Sequence, residues 1–149
     1  MDNHKYEIEN VNFGRNMHHE NIIGMLTGLP LDEINVALKK LDIIKSVTLI
    51  KRHLYDLKAK DIWYTRDYLN TFHALGFNTN PRFKKFDPET EYPCIMRCKE
   101  VGTENGYWYG WVYNDGKVYD TSGQIWPFDG WIEAHKNEYR VTSMLQVWI

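Results

Sequence analysis

The spacing of hydrophobic positions along the chain changes near Pro81, from a helical period to a strand period. Four segments before that point place apolar residues on one side of a helix. They are NIIGML (Asn21–Leu26), LDEINVALKKL (Leu31–Leu41), a basic stretch around Ile50, Leu54 and Leu57, and TRDYLNTFHALGF (Thr65–Phe77). Gly28 and Gly76 are the expected helix stops, and Pro30 is expected to open the second helix.

The segments after Pro81 are typical of antiparallel strands. YPCIMRCKEV and RVTSMLQVWI each predict one strand, and YWYGWVYNDGKVYDTSG predicts two strands joined at Asn114, Asp115 and Gly116. Helices followed by strands indicate an α+β fold, with N-terminal helices packed on a C-terminal antiparallel sheet. We expect residues 1–149 to form a single domain.

The composition describes a well-packed globular protein, with 43% hydrophobic and 15% aromatic residues. No run reaches the roughly 18 apolar residues of a membrane-spanning helix, so no membrane association is expected. The start of the chain, MDNHKYEIEN, has no basic region followed by an apolar one, and we expect no secretory signal there. The net charge of −2 gives no overall attraction to nucleic acid. These features predict a cytoplasmic protein.

The two cysteines, Cys94 and Cys98, lie four residues apart in one predicted strand. Strand geometry puts both thiols on one face but about 13 Å apart, whereas a disulfide needs Cα atoms within about 7 Å of each other. No second Cys or His pair lies nearby to complete a zinc site. We predict two reduced cysteines that pack in the core.

The run His18-His19-Glu20 contains the residue types of a metal half-site, with three further candidate ligands in His4, Asp120 and Glu133. Adjacent histidines diverge, however, whereas helical zinc sites use positions i and i+4. We therefore expect these residues to be solvated or to cap a helix start, and we expect no metal. Motifs for phosphate, dinucleotide or serine-hydrolase sites do not occur in the sequence, so we expect no cofactor.

Three blocks of the sequence follow one another in an order that a known family shares: NIIGMLTGLPLDEI, TFHALGF, and YPCIMRCKEVGTENGYWYGWVYNDGKVYDTSG. In these blocks the chain resembles the papain-like cysteine peptidases of the bacteriocin-processing type, including their small stand-alone bacterial and phage members. The blocks are similar to the nucleophile helix with its ML-T-G turn, to a later helix ending in L-G-F, and to the Pro-led, G-H-W and V-Y-D-P strands. The resemblance implies a papain-like fold.

The same resemblance implies four catalytic positions in this chain. The family's nucleophilic Cys falls on His18, its general base on Tyr107, its orienting acid on Asp120, and its oxyanion-binding Gln near Asn12. Only the acid is retained. An imidazole cannot replace a thiol in peptide cleavage, and a tyrosine with a pKa near ~10 is a poor base at neutral pH. We therefore expect the family's reaction to be absent.

The resemblance thus implies a catalytically inactive papain-like domain, a pseudo-peptidase, that binds a protein partner. Small solitary domains of this type resemble phage or mobile-element accessory proteins, which implies a host-directed role in the host cytoplasm, such as inhibition of a defence factor. The segment GQIWPFDGW is predicted to be a loop near the former catalytic site. Exposed aromatic residues are favoured interface anchors, so the predicted contact residues are Trp108, Trp126, Phe128 and Trp131.

Two other hypotheses remain open. In the first, the protein is a hydrolase or transferase with a non-standard site formed by His18, Tyr107 and Asp120. In the second, it binds nucleic acid through the basic helix of residues 39–60. The contact residues would then be Lys51 and Arg52, with Arg82, Lys84 and Lys85 extending the positive face.

Overall fold

The computed structural model describes residues 8–13, 17–41, 65–102, 108–120 and 123–149, of which residues 108 and 109 are described by their backbone. The helices in these ranges are α1 (His18–Thr27), α2 (Leu31–Lys40), α3 (Thr65–Ala74) and α4 (Phe128–His135). The strands are β1 (Asn78–Thr79), β2 (Lys84–Lys85), β3 (Cys94–Glu100), β4 (Trp108–Asn114), β5 (Lys117–Tyr119), β6 (Ile125–Pro127) and β7 (Tyr139–Trp148). The predicted α+β class is confirmed.

The strands form one open antiparallel sheet in the order β1-β7-β3-β4-β5-β6, and β2 pairs with β7 beside β1. The predicted hairpin joins β4 to β5, with Asn114 opposite Lys117. Both turn residues between them have positive φ angles, 49° at Asp115 and 78° at Gly116. This is the backbone of the tightest hairpin turns, and it explains why the sequence places a glycine at the second position.

The sheet has two covered faces, which we name after the helices packed on them. On the α1 face, helices α1, α2 and α3 enclose a core with Ile95, Val112, Leu145 and Val147. On the α4 face, helix α4 and several aromatic rings enclose a core with Cys94, Met96, Cys98, Tyr113 and Met144. Successive residues of a strand point to opposite faces, which is why the neighbours Cys94 and Ile95 belong to different cores.

The predicted helix boundaries are confirmed where glycine and proline mark them. Helix α1 ends at Gly28, whose φ of 72° is left-handed and whose N–H bonds the Gly24 carbonyl at 2.8 Å. Pro30 precedes the first residue of α2 in an extended conformation. After α3, Gly76 has a φ of 89°. Glycine adopts such angles without a steric penalty, so it ends a helix cleanly.

The predicted loop GQIWPFDGW is wrong, because this segment contains β6 and the first half of α4. Pro127 lies just before α4, where its fixed φ is favourable and its missing N–H is no loss. Phe128, Trp131, Ile132 and His135 follow at helical spacing. Pro and Gly in the segment suggested a loop, whereas the spacing of the large side chains selects a helix.

The predicted packing role of the two cysteines is confirmed, since Cys94 and Cys98 are both free and buried. The basic helix predicted around Ile50, Leu54 and Leu57 lies outside the described residues. Among the residues that the structure describes, no helix is long and apolar enough to cross a membrane.

Candidate functional site

Helix α1 starts in close contact with the N-terminal segment and with the sheet. The Asn21 side-chain oxygen accepts a hydrogen bond from the backbone N–H of Phe13 at 2.7 Å. A Cβ added at Gly24 would lie 2.6 Å from the Phe13 ring, so the absent side chain lets that ring reach the helix. A Cβ at Gly110 of β4 would lie 3.1 Å from Ile95 and 3.9 Å from Ile22. Gly24 therefore allows the N-terminal segment to pack closely on α1, and Gly110 leaves room for Ile95 where β4 faces the helix.

His18, the first residue of α1, is half-buried between the helix and the sheet. It makes a hydrogen bond to the backbone of Gly110 and lies close enough to Asp120 to interact with its charge. Burial lowers the pKa of His18 below its ordinary 6.5, although the hydrogen bond to Gly110 and the charge of Asp120 act in the opposite direction. The imidazole is therefore mainly neutral at pH 7.

Asp120 follows β5 in a turn that the N-terminal segment holds in place. Its backbone N–H bonds the Gln124 carbonyl at 2.8 Å, and its carbonyl accepts the N–H of Gly123 at 3.0 Å. The Asn10 amide donates to the carbonyls of Asp120 and Gln124 at 3.4 and 3.2 Å. Several hydrogen bonds therefore fix the backbone of this turn, and the charge of Asp120 acts on His18 from there.

His19 faces α3 rather than the sheet. Its Nδ1 makes a hydrogen bond with the hydroxyl of Tyr68, and the two rings meet edge to face at 5.6 Å between centroids. Burial, helped by the negative charge of Glu20, raises the pKa of Tyr68, so its hydroxyl stays protonated. The rings of His18 and His19 are inclined at 77° to each other. They diverge, as the sequence predicts for adjacent histidines.

The expectation that this histidine pair is solvated or caps the helix is wrong. No side-chain hydrogen bond caps the start of α1, and His18 and His19 are both half-buried. The reason is tertiary packing, because the first turn of α1 lies against β4 on one side and α3 on the other. The described residues contain no group of three or more His, Cys, Asp or Glu side chains arranged to hold a metal ion.

The structure brings together two of the four positions that the resemblance assigns to catalysis. His18 and Asp120 are neighbours, whereas Asn12 is an exposed residue of the N-terminal segment. Tyr107 lies outside the described residues, and so do Lys51 and Arg52. The residues predicted to extend the positive face, Arg82, Lys84 and Lys85, are exposed.

The predicted aromatic contact residues need correction. Trp126 lies opposite Val118, which belongs to the α4-face core, so Trp126 projects away from His18. Phe128 is half-buried against the same core, and Trp131 is only 1% exposed. Trp131 is therefore a core residue that a partner cannot touch in this conformation. For Trp108 the structure describes the backbone, as part of β4.

Sequence reasoning missed two polar arrangements. His135 donates its Nδ1 hydrogen to the Trp131 carbonyl at 2.8 Å and stacks on the Trp131 ring at 4.5 Å. On the other face, the Arg97 guanidinium lies 4.1 Å from the centre of the Phe83 ring and donates from Nε to the Ser143 hydroxyl at 2.8 Å. The first has a sequence signal, the i and i+4 spacing in α4. The second joins β3, β7 and the residue before β2, and it has no such signal.

The cysteine thiols lie on the wrong face to serve the His18 site. Cys94 and Cys98 are in the α4-face core, behind the sheet from α1. Burial raises the pKa of Cys94 strongly and that of Cys98 to about 12. Since the thiolate is the nucleophile, neither residue is reactive at neutral pH.

No family model, no curated protein and no solved structure matches this chain. The site consists of a mainly neutral imidazole that is hydrogen-bonded to β4 at the start of a helix and on which the charge of Asp120 acts, and both cysteines lie in the α4-face core.

Proposed function

We propose that this chain is a catalytically inactive papain-like domain that acts as a protein-binding module. The observation that carries the proposal is the contact of His18, at the start of α1, with the Gly110 backbone and the charge of Asp120. The resemblance assigns these two positions to the nucleophile and the orienting acid of one site. Their closeness supports a shared origin with such a site, although they are far apart in the sequence.

The chemistry of the same residues argues against peptide cleavage by this chain. The sequence has two cysteines, and both lie in the α4-face core with raised pKa values. The group at the nucleophile position is an imidazole that makes a hydrogen bond to the backbone of β4. A neutral, fixed imidazole contributes to the packing of α1 on the sheet and leaves the site without a thiolate.

The proposed binding surface is the α1 face around this site. Ile125 of the edge strand β6 lies opposite Tyr119, a residue of the α1-face core, so it projects on the same side as His18. It is 53% exposed and adjoins the turn of Asp120. A large exposed apolar side chain beside a former catalytic site suits a contact with another protein. The host-directed role is proposed with this binding function, and its support is the resemblance.

The papain-like origin is tested by restoring the missing groups in the double variant His18→Cys/Tyr107→His. We expect the introduced thiol to have a pKa below ~7.5, because a helix N-terminus stabilises a thiolate and the resemblance implies that the imidazole introduced at position 107 does so too. The pKa is measured from the pH dependence of alkylation by iodoacetamide. Val36→Cys is the control, since Val36 is 57% exposed on α2. An introduced thiol at position 18 that titrates no lower than the control contradicts the proposal.

The binding function is tested by affinity capture from the cells that contain the protein, followed by quantitative mass spectrometry. We expect a protein that is captured by the wild type and by His18→Ala, is lost with Ile125→Asp, and is retained with Val36→Asp. The two apolar residues have similar exposures, 53% and 57%, so the pair separates a local contact from a general loss of surface hydrophobicity. Equal loss with both variants, or no captured protein, contradicts the proposal.

A second candidate function has one specific observation in its favour. Burial lowers the pKa of His18, so the imidazole is mainly neutral at pH 7, and the charge of Asp120 acts on it, as a general base of a hydrolase requires. This hypothesis expects hydrolysis of an activated acyl ester that His18→Ala abolishes without changing the urea midpoint of unfolding. Our proposal expects the wild type to hydrolyse the ester no faster than His18→Ala does. Nucleic-acid binding through Lys51 and Arg52 stays a prediction.

A further inference from the structure

Strand pairing places four cations on the α1 face of the sheet. Lys85 on β2 lies opposite Ser143 on β7, and Ser143 lies opposite Arg97 on β3. In a neighbouring row, Arg140 lies opposite Lys99. Directly paired residues project on the same side of a sheet. We name these four residues the basic face: Lys85, Arg97, Lys99 and Arg140.

The orientation of this set follows from strand alternation. Met96 and Cys98 of β3 belong to the α4-face core, so the residues between and after them, Arg97 and Lys99, project toward the α1 face. Arg97 also stacks on Phe83, which packs against the α1-face core. The acidic neighbour Glu100 lies opposite Tyr139, whose ring packs on the α4 core, and therefore projects on the other side.

Arg97 is held rigidly at the centre of the basic face. Its Nε donates to the Ser143 hydroxyl at 2.8 Å, and its backbone carbonyl accepts a hydrogen bond from the Thr142 hydroxyl at 3.1 Å. The central carbon of the guanidinium lies over the Phe83 ring, 4.1 Å from its centre. Less side-chain entropy is lost when such a fixed guanidinium binds an anion. Lys85 and Arg140, at the two sides, are exposed.

Lys99 and Arg140 lie directly opposite each other, so the register places two positive charges side by side on the α1 face. The basic face also adjoins the candidate site, since Arg97 is paired with Gly110, the residue that accepts the hydrogen bond from His18.

We propose that the basic face binds an acidic, extended segment of a protein partner, an inference that deepens the proposed binding function and rests on it. Arg97 and Lys99 are two residues apart on one strand, so their Cα atoms are about 7 Å apart. Alternate carboxylates of an extended peptide have the same spacing. Arg and Lys at this spacing bind them with charge-assisted hydrogen bonds.

The rest of the surface favours a short acidic segment over a nucleic acid. The chain has a net charge of −2, and the exposed residues Asp87, Glu89 and Glu91 follow soon after β2. A nucleic acid is a long polyanion that extends past a patch of four cations, and a chain of negative net charge gives it no overall attraction. A peptide with a few carboxylates covers the basic face alone.

The test uses a fluorescein-labelled peptide of alternating Glu and Ser residues, with fluorescence anisotropy as the readout on the full chain. The variant Lys85→Glu/Arg140→Glu reverses two exposed charges of the basic face. The control Lys84→Glu/Lys136→Glu makes the same change in net charge elsewhere. Lys84 is exposed and lies opposite Met144 of the α4-face core, and Lys136 is paired with Glu133 at the surface.

We expect the basic-face variant to weaken peptide binding at least about tenfold and the control to leave it within about twofold. Wild-type binding weakens as ionic strength rises. Equal weakening by both variants, no binding of the peptide, or tighter binding of a length-matched oligothymidylate overturns the inference, and the last outcome assigns the basic face to nucleic acid.

The two proposals fail in different ways. If a captured partner depends on Ile125 but binds the basic-face variant normally, the binding function stands and this inference is wrong. If no partner is captured while the peptide binds as expected, the basic face recognises acidic peptides and the proposed function is wrong.

Discussion

The two faces of the sheet are covered in different ways. On the α4 face, Trp131 is 1% exposed and stacks on His135, and the two cysteines are buried in the same core as Trp131. The α1 face also has an apolar core, but the polar residues His18 and Arg97 at its margin are half-buried and hydrogen-bonded. The aromatic residues that the sequence offers as contacts therefore close the α4 face, and the α1 face carries the groups that can meet a partner.

The largest expected effect concerns the thiols of the closed face. Because Cys94 and Cys98 are buried, their alkylation requires the α4 face to open. We expect the native protein to react with iodoacetamide at least about a thousandfold more slowly than the unfolded chain. Labelling in native buffer and in urea, followed by mass spectrometry, measures the ratio. Native labelling within about tenfold of the unfolded rate shows that the α4 face is open.

The second effect is the loss of the central ring of the α4 face. We expect Trp131→Ala to lower the free energy of unfolding by about 3–5 kcal/mol, because a buried tryptophan leaves a large cavity. Ile125→Ala, on the exposed margin of the α1 face, is expected to change it by less than about 0.5 kcal/mol. Urea unfolding followed by circular dichroism measures both. Similar losses of unfolding free energy in the two variants would show that Trp131 is no more important for stability than an exposed residue of the α1 face.

The third effect tests the contact between α1 and α3. We expect Tyr68→Phe to lower the free energy of unfolding by about 1 kcal/mol, because it removes the hydrogen bond with His19. A double-mutant cycle with His19→Ala isolates the pairwise energy. Strictly additive single variants show that the two side chains do not interact.

The smallest effect is the pH dependence that His18 contributes. Because burial lowers the pKa of His18, the unfolded chain binds a proton at this residue more readily than the folded chain. The stability from His18 is therefore present above an ordinary pKa of about 6.5 and is lost as the pH falls through the lower folded value. We expect His18→Gln to flatten the decline in the free energy of unfolding between about pH 7.5 and pH 5, by less than about 1 kcal/mol. If the free energy of unfolding depends on pH equally in the wild type and in His18→Gln, folding does not lower the pKa of His18.

The elements with local signals are predictable from the sequence. Gly28, Pro30 and Gly76 mark helix boundaries by their own backbone preferences, and Asp115-Gly116 specifies a hairpin whatever surrounds it. Helix α4 is not predicted from the sequence, because Pro127 and Gly130 are residue types typical of loops. In the structure Pro127 directly precedes the helix.

The polar contacts depend on register and packing, which local patterns do not determine. The pairing between β3 and β7 shifts at Arg97 and Cys98, and this irregularity sets which β7 residues lie opposite Arg97 and Lys99. Stacking of Arg97 on Phe83 likewise needs the position of a segment outside the strand. The resemblance implies a role for position 18, but the burial of His18 and its hydrogen bond to Gly110 depend on the packing of α1 on β4.

An NMR titration of the His18 ring nitrogens, in the wild type and in Asp120→Asn, shows whether His18 and Asp120 form one site. We expect a neutral ring fixed in one tautomer with a pKa below 6.5, and a still lower pKa in Asp120→Asn, because the charge of Asp120 raises it. A pKa at or above 6.5, with rapidly exchanging tautomers and no response to the substitution, would show that His18 and Asp120 do not form one site.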